Sequence, residues 1–369
     1  MKNTLCLINH LILLRKLFKQ LLFLAVLMFI PPLSFAQLED HTFETSIEEG
    51  QIYITVQMQI RDSNGHLVGY IETDRITVTN LPQLFDILDD PSKNDEEFAL
   101  GGRKNVTQEI YDLKIKHSAE VLSDLNVDVL GLCEVEHASV LQDLNNAFTE
   151  RDYEIIHYES PDERGIDNAL MYDSKRFEVI SSKPIPNTLP GGDKTRDILY
   201  VKGKYAGEIV HLFVNHWPSN YGGREKAIPK RAATAQLIVR EILSILTLDV
   251  SAEIILIGDF NEDPDEMNIQ SLKTVGLSSL MEPMLGEPKK GTYVYRGEDL
   301  FYDQVIVHES LRDQEGLVLV PESIFILDLP KYRQQEGNYK HFPYRFWAGN
   351  NLLGGYSDHL AVRIEITKK

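Results

Sequence analysis

The polar and apolar positions of this chain change period several times, and each change marks an element. Residues 52–60 alternate, with Ile52, Ile54, Val56, Met58 and Ile60 on one side, the two-residue period of a strand. Asp62-Ser63-Asn64-Gly65 is a turn sequence, and strand character resumes over 67–78. The opening thus predicts a hairpin, then a strand ending at Thr79-Asn80. Residues 37–50, acidic and weakly patterned, read as a loose leader. Helical spacing follows at 106–125, through Ile110, Leu113, Ile115, Ala119, Val121, Leu122 and Leu125. Further helices are predicted over 139–148, 229–248 and 268–275, the second with Pro229 near its first turn. Short apolar runs predict strands at 127–132, 155–156, 169–172, 177–180, 199–205, 209–215, 254–257, 293–295, 304–308 and 362–366. Residues 311–355 mix Tyr, Phe and Pro without a clear period.

Several strands, such as Ile254-Ile255-Leu256-Ile257, are apolar at every position and demand cover on both faces. Two sheets packed together with helices outside provide that cover, so the expected class is α+β. The 369 residues suit one large domain or two small ones.

The first 36 residues stand apart. Lys2, Arg15, Lys16 and Lys19 precede or flank an apolar run over 21–30, and Ser34-Phe35-Ala36 offers small residues to a signal peptidase. The pattern predicts a secretory signal over 1–36, cut after Ala36, and an exported protein, periplasmic or secreted. Ten apolar residues make only about 15 Å of helix, roughly half a bilayer core, which argues against a membrane anchor. No stable membrane span is expected after cleavage, and the mature chain is expected to be a monomer. Losing four positive charges from a formal net charge of −19 leaves about −23. Such a surface repels polyanions at long range, so a phosphate substrate needs local attraction from a cation or a few arginines. Cys6 leaves with the signal and Cys133 stays alone, which excludes an internal disulfide. Cys133 lies in an apolar strand, where packing is its expected role.

Six chemically capable positions fall just after apolar strands: Asn80, Glu134, His216, Asp259 with Asn261, Asp303, and Asp358 with His359. Glu134, Asp259, Asp358 and the Asn80 amide are hard oxygen donors of the kind Mg²⁺ takes. The chain has no Cys/His cluster that would suit structural zinc. Phosphodiester cleavage needs phosphoryl charge neutralised, a water deprotonated and a leaving oxygen stabilised. A histidine suits the proton step, and Asp303 is the candidate carboxylate to orient it.

Read in order, Asn80, Val129-Leu130-Gly131-Leu132-Cys133-Glu134, Asn215-His216-Trp217-Pro218, Gly258-Asp259-Phe260-Asn261, Tyr302-Asp303-Gln304-Val305-Ile306-Val307 and Ser357-Asp358-His359 resemble the endonuclease/exonuclease/phosphatase superfamily, the deoxyribonuclease I-like fold. The resemblance implies a four-layered α/β/β/α sandwich over 75–369, leaving 37–74 as a leader with an extra hairpin. It implies a Mg²⁺-dependent hydrolase of phosphoric esters, with Mn²⁺ or Ca²⁺ as alternative ions. Nucleic acid is the first substrate class. A phospholipid, inositol phosphate or nucleotide is the second, and a non-catalytic binding protein on the same scaffold the third. The implied roles are metal binding for Glu134, Asp358, Asn80 and Asp259, and phosphate or water orientation for Asp259 and Asn261. His359 would be the general base held by Asp303, and His216 would stabilise phosphoryl charge. Arg196, in Thr195-Arg196-Asp197, matches a phosphate-contacting arginine, with a surface salt bridge as the competing reading.

Two departures stand out. Relatives tend to read Asn-Val-Glu-Asn where this chain has Asn80-Leu81-Pro82-Gln83, and Pro82 removes a backbone donor. His137 stands where Asn is common. The acidic stretches Asp89/Asp90/Asp95/Glu96/Glu97 and Asp263/Asp265/Glu266 lack EF-hand spacing and read as solvated loops. The aromatics Tyr332, Tyr339, Phe342, Tyr344, Phe346 and Trp347 suit either base stacking or core packing.

Overall fold

The computed structural model describes residues 41–48, 51–61, 67–70, 74–287 and 290–369. The predicted signal segment and the 62–65 turn lie outside them. The chain divides into two compact units, Met1–Glu72 and Thr73–Lys369.

The first unit holds an antiparallel sheet of His41–Glu48, Gln51–Arg61 and Leu67–Tyr70. The leader is therefore not loose throughout, because His41–Glu48 pairs with Gln51–Arg61 from His41↔Met58 to Glu48↔Gln51. Phe43, Thr45 and Ile47 carry the alternation that makes this segment a strand.

The second unit is built on two mixed sheets. One runs in the order Leu277–Ser279, Asp303–His308, Glu253–Asp259, Glu208–His216, Ile198–Tyr205, Phe177–Ile185. The other runs Leu317–Leu319, Val362–Lys368, Asp74–Leu84, Val129–Val135, Asp167–Tyr172, Glu154–His157, with Phe325–Ile326 also on Val362–Lys368. Each has one parallel pair at its centre, Glu208–His216 with Glu253–Asp259 and Asp74–Leu84 with Val129–Val135.

The apolar strands divide their faces as the pleat requires. Ile255 and Ile257 join Val129, Cys133, Leu170 and Ile364 in the core between the sheets. Ile254 and Leu256 face outward onto Ala235, Ile238 and Ile242 of the helix Arg224–Leu246. Leu130 and Leu132 face outward onto Leu122 and Leu141 of the helices Gln108–Leu125 and Ala138–Asn146. The result is helix, sheet, sheet, helix: the four-layered α+β sandwich. Gly131 allows the sheets to approach, since a Cβ there would lie 2.4 Å from Ile257 Cδ1.

The helix Gln108–Leu125 begins where the Thr107 hydroxyl accepts the Ile110 N–H and ends at Asn126 in the left-handed conformation. The helix Arg224–Leu246 starts earlier than a proline in the first turn predicts, so Pro229 lies inside it. Gly222 and Gly223, both at positive φ, turn the chain into the helix. Pro229 then costs the one hydrogen bond to the Glu225 carbonyl, close to the end where donors are unpaired anyway. The 268–275 helix divides into an α-turn, Met267–Ser271, and a tighter 3₁₀ turn, Leu272–Val275.

Tyr332, Phe346 and Trp347 are buried in the core beneath the helix Gln108–Leu125, which favours packing for these three, whereas Tyr339 is exposed. The acidic stretch after Asp86 is not simply solvated. Asp95 is buried, and Glu136 beside it is also buried and accepts from the Asp86 N–H. Burial, opposed by that hydrogen bond and reinforced by the charges of Asp86 and Asp95, pushes the Glu136 carboxyl up to about 9. Among the described residues, no helix is long and apolar enough to cross a membrane.

Candidate active site

His216, Asp259 and Asp303 form one row across three neighbouring strands. His216 is the register partner of Asp259, and Asp259 of Asp303. Partners on adjacent strands project from the same face, so three polar side chains separated by dozens of residues meet where the central strands of the sheet end. Gly258 makes the row possible. Its φ is +143°, and a Cβ would lie 1.8 Å from the Asn215 carbonyl oxygen.

The other sheet delivers Glu134. Asn80 pairs with Cys133, just ahead of an irregularity between Asn80 and Leu84 that contains Pro82. Glu134 itself falls in the register shift between Cys133 and Val135, with φ +60°. A bulge of this kind re-aims a side chain and is costly for a residue with a Cβ. The Cys133 thiol donates to the Asn215 carbonyl at 3.2 Å, tying the Glu134 strand to the His216 strand. Cys133 is thus a buried packing residue that also joins the two sheets.

Asn261, also at positive φ, donates its backbone N–H to Asp259 Oδ1 at 2.9 Å and its side-chain amide to the Trp217 carbonyl at 3.1 Å. The His359 Nδ1 lies 2.6 Å from Asp303 Oδ2, and its backbone N–H donates to the Ser357 hydroxyl. Tyr293 stacks on the imidazole at 4.6 Å between centroids and on Tyr302 at 5.5 Å. The Leu360 N–H donates to the Thr292 carbonyl, so the hairpin bearing Tyr293 is sewn to the His359 segment.

The charges of this cluster act on one another. Burial raises the Asp259 carboxyl; the His359 charge opposes the rise, while the charges of Asp303 and Glu134 add to it. Burial, then the cations Arg196, Arg164 and His359, hold the His216 imidazole well below its ordinary range. His216 is therefore neutral, with Nε2 3.6 Å from Asp259 Oδ2. It can donate a hydrogen bond to a phosphoryl oxygen but brings no positive charge.

Arg196 is not on the surface. It is 5% exposed, with Nη1 3.2 Å from Asp162 Oδ2 and Nη2 donating to the Trp217 carbonyl at 2.7 Å. The alternative of a surface salt bridge is replaced by a buried one that borders the cluster. Asp358 is partly exposed, with Arg345 Nη2 3.9 Å away.

Sequence reasoning missed Asp162, Arg164, Lys114, Tyr293 and Arg345. Arg164 Nη1 stands 3.7 Å from Glu134 Oε1. Lys114 is buried under Phe346 and donates to the Tyr356 carbonyl, and the charges of Asp358 and Glu134 act on it. Burial, opposed by those two carboxylates, brings its amine down to about 8. The one available signal was the charged turn Asp162-Glu163-Arg164-Gly165 between two predicted strands. The pairing of Asp167–Tyr172 with Val129–Val135 puts that turn near Glu134.

The donors fit a hard cation. Glu134, Asp259 and Asp358 offer only oxygen, and burial raises the Asp259 carboxyl to about 7. Among the described residues, the acidic and histidine side chains gathered most closely for an ion are not this trio but a group on the neighbouring strands. His157, Glu159 and Asp167 place ligand atoms within 4.8 Å of one another. Here His157 Nε2 pairs with Asp167 Oδ2 at 3.1 Å, and His137 pairs with Glu159 at 3.0 Å.

Residues 75–368 match the Endonuclease/Exonuclease/phosphatase family. The chain belongs to this family, and at the family's general level it is a hydrolase of phosphoric ester bonds. Solved structures share the fold. D. rerio TDP2 complexed with single strand DNA product is 13% identical at a TM-score of 0.51, covering 80% of this chain and 99% of that one. The human Nocturnin catalytic domain with bound sulfate is 17% identical at 0.51, covering 80% and 95%. An endonuclease/exonuclease/phosphatase from Bacteroides vulgatus is 16% identical at 0.50, covering 81% and 100%. No curated protein matches the chain in sequence.

Proposed function

We propose that this chain is an exported, divalent-metal-dependent phosphodiesterase acting on nucleic acid. The observation that carries the reading is the His359–Asp303 pair at 2.6 Å, set against the row that holds Asp259 and His216. Asp303 accepts from Nδ1, so the neutral form of the imidazole is the one whose Nε2 takes the proton of an attacking water. The protonation states are assigned from this hydrogen bond. Asp259 and Asn261, locked together by the Asn261 N–H, orient that water and the phosphoryl group. Neutral His216 donates to a phosphoryl oxygen. Glu134, Asp358 and Asp259 would hold Mg²⁺, or Mn²⁺ or Ca²⁺ in its place; the side chain of Asn80, the fourth donor the sequence offers, lies outside those described. When bound, the ion neutralises the charge that grows on phosphoryl oxygens.

The relative bound to a DNA product supports nucleic acid as the substrate class. The net charge of −19 favours the second reading, a smaller phosphate ester such as a nucleotide, an inositol phosphate or a phospholipid head group. Export rests on the signal-like segment over 1–36.

A substrate panel separates the readings. Single-stranded oligonucleotide, plasmid, a nucleotide, an inositol phosphate and phosphatidylcholine are incubated with Mg²⁺ or with excess chelator. Cleavage of the oligonucleotide or nicking of plasmid, abolished by chelator, is the expected result. Release of phosphate or phosphocholine alone moves the substrate to the second class. Inactivity of folded protein on the whole panel with every ion removes the enzymatic reading.

A further inference from the structure

We infer that Arg164 and Arg345 are substrate-binding residues that grip the non-bridging oxygens of the substrate phosphate once a cation has taken Glu134 and Asp358 from them. The inference rests on the proposed function and adds what attracts the anion in so acidic a chain.

Each arginine faces one metal-site carboxylate and comes from a different part of the fold. Arg164 sits in the turn before Asp167–Tyr172, 3.7 Å from Glu134, and Arg345 in the segment before Trp347–Ala348, 3.9 Å from Asp358. Both separations exceed hydrogen-bond length, so the guanidinium donors are not spent on these carboxylates. Their side chains are 47% and 35% exposed, a setting in which an ion pair adds little to stability. A purely structural reason for two such pairs is therefore weak. Arg164 is also tethered from behind. Asp162, 6% exposed, accepts the Arg164 backbone N–H at 3.0 Å, stands 3.4 Å from its Nε and binds Arg196 at 3.2 Å. That arrangement fixes the stem of Arg164 and leaves the outer edge of the fork open.

A divalent cation on Glu134 and Asp358 satisfies both carboxylates and repels both guanidiniums. With those carboxylates neutralised, the planar forks would be free to take the oxygens of a phosphate, which guanidinium binds in bidentate fashion. With the chain at a net charge of −19, such a local pair of cations supplies the attraction that the surface at large denies. Metal and phosphate binding are coupled as a consequence. The arginines compete with the first and grip the second.

Calorimetric titrations of wild type, Arg164→Gln, Arg345→Gln and Arg164→Lys test this, with Mg²⁺ alone and then with inorganic phosphate at saturating Mg²⁺. Both glutamine variants are expected to bind Mg²⁺ several-fold more tightly and phosphate roughly tenfold or more weakly. Arg164→Lys is expected to restore the competition with Mg²⁺ but not the full phosphate affinity. Melting temperatures within a degree or two of wild type establish that the variants fold. Glutamine variants that lose both affinities together, or keep wild-type phosphate affinity, overturn the inference while leaving the enzyme assignment standing. A wild type that binds neither Mg²⁺ nor phosphate overturns the assignment itself.

Discussion

His359→Ala is expected to lower turnover about 10²–10⁴-fold with little change in substrate affinity, the usual worth of a positioned proton acceptor. The side chain sits at the meeting point of three constraints: Asp303 at 2.6 Å on Nδ1, Tyr293 stacked on the ring, and Ser357 on its backbone N–H. Wild-type rates in the variant would remove His359 from the mechanism. The same pair sets a pH dependence in the metal-free protein. Burial alone draws the imidazole down, but the charge and hydrogen bond of Asp303, with Asp259 and Asp358, outweigh it and lift His359 to about 10. The folded value lies above the ordinary 6.5. The imidazolium–carboxylate pair therefore stabilises the fold fully below about pH 6.5, and its contribution is lost as pH rises through about 10. Metal-free protein is expected to lose melting temperature across that window. A flat profile there would show that the pair contributes nothing.

Trp217→Ala is expected to destabilise the fold by about 3–5 kcal/mol, the range for removing a fully buried large aromatic. Trp217 is 0% exposed and packs edge-on against Phe260 at 5.0 Å. Its Nε1–H donates to Asn215 Oδ1 at 3.2 Å, so truncation also leaves a buried acceptor without its partner. The effect reaches the site, because the Trp217 carbonyl receives both Arg196 and Asn261. Thermal unfolding should show a drop of roughly 10 °C, and Trp217→Phe, which keeps most of the packing, a smaller one. An unchanged melting temperature would mean that Trp217 does not anchor this loop.

The layers and the site were legible in the sequence to different depths. Ile254-Ile255-Leu256-Ile257 announced a strand covered on both faces, and the structure divides it between two cores for that reason. The abrupt Asp259 and Asn261 after it marked a strand end with chemistry. Sequence could not show that Asp259 would lie beside both His216 and Asp303, because register is a long-range property. Glu134 was visible as a carboxylate, but its positive φ and bulge were not, since nothing in Leu132-Cys133-Glu134-Val135 encodes a backbone that L-residues avoid. A surface salt bridge was the competing reading for Arg196 because arginine is usually exposed. Its burial depends on Asp162, a partner supplied by a turn far away in the chain. The start of the helix Arg224–Leu246 was misplaced by giving Pro229 more weight than Gly222-Gly223. The strand His41–Glu48 was overlooked because its acidic residues masked the Phe43, Thr45, Ile47 alternation.

Crystals grown with Mn²⁺ in place of Mg²⁺ give the most direct measurement, because anomalous scattering locates the ion without reference to activity. The expected result is a peak bound by the carboxylates of Glu134 and Asp358 beside Asp259. A peak held only by His157, Glu159 and Asp167, or no peak at saturating Mn²⁺, would contradict the central claim that the strand-end carboxylates form a cation site facing His359.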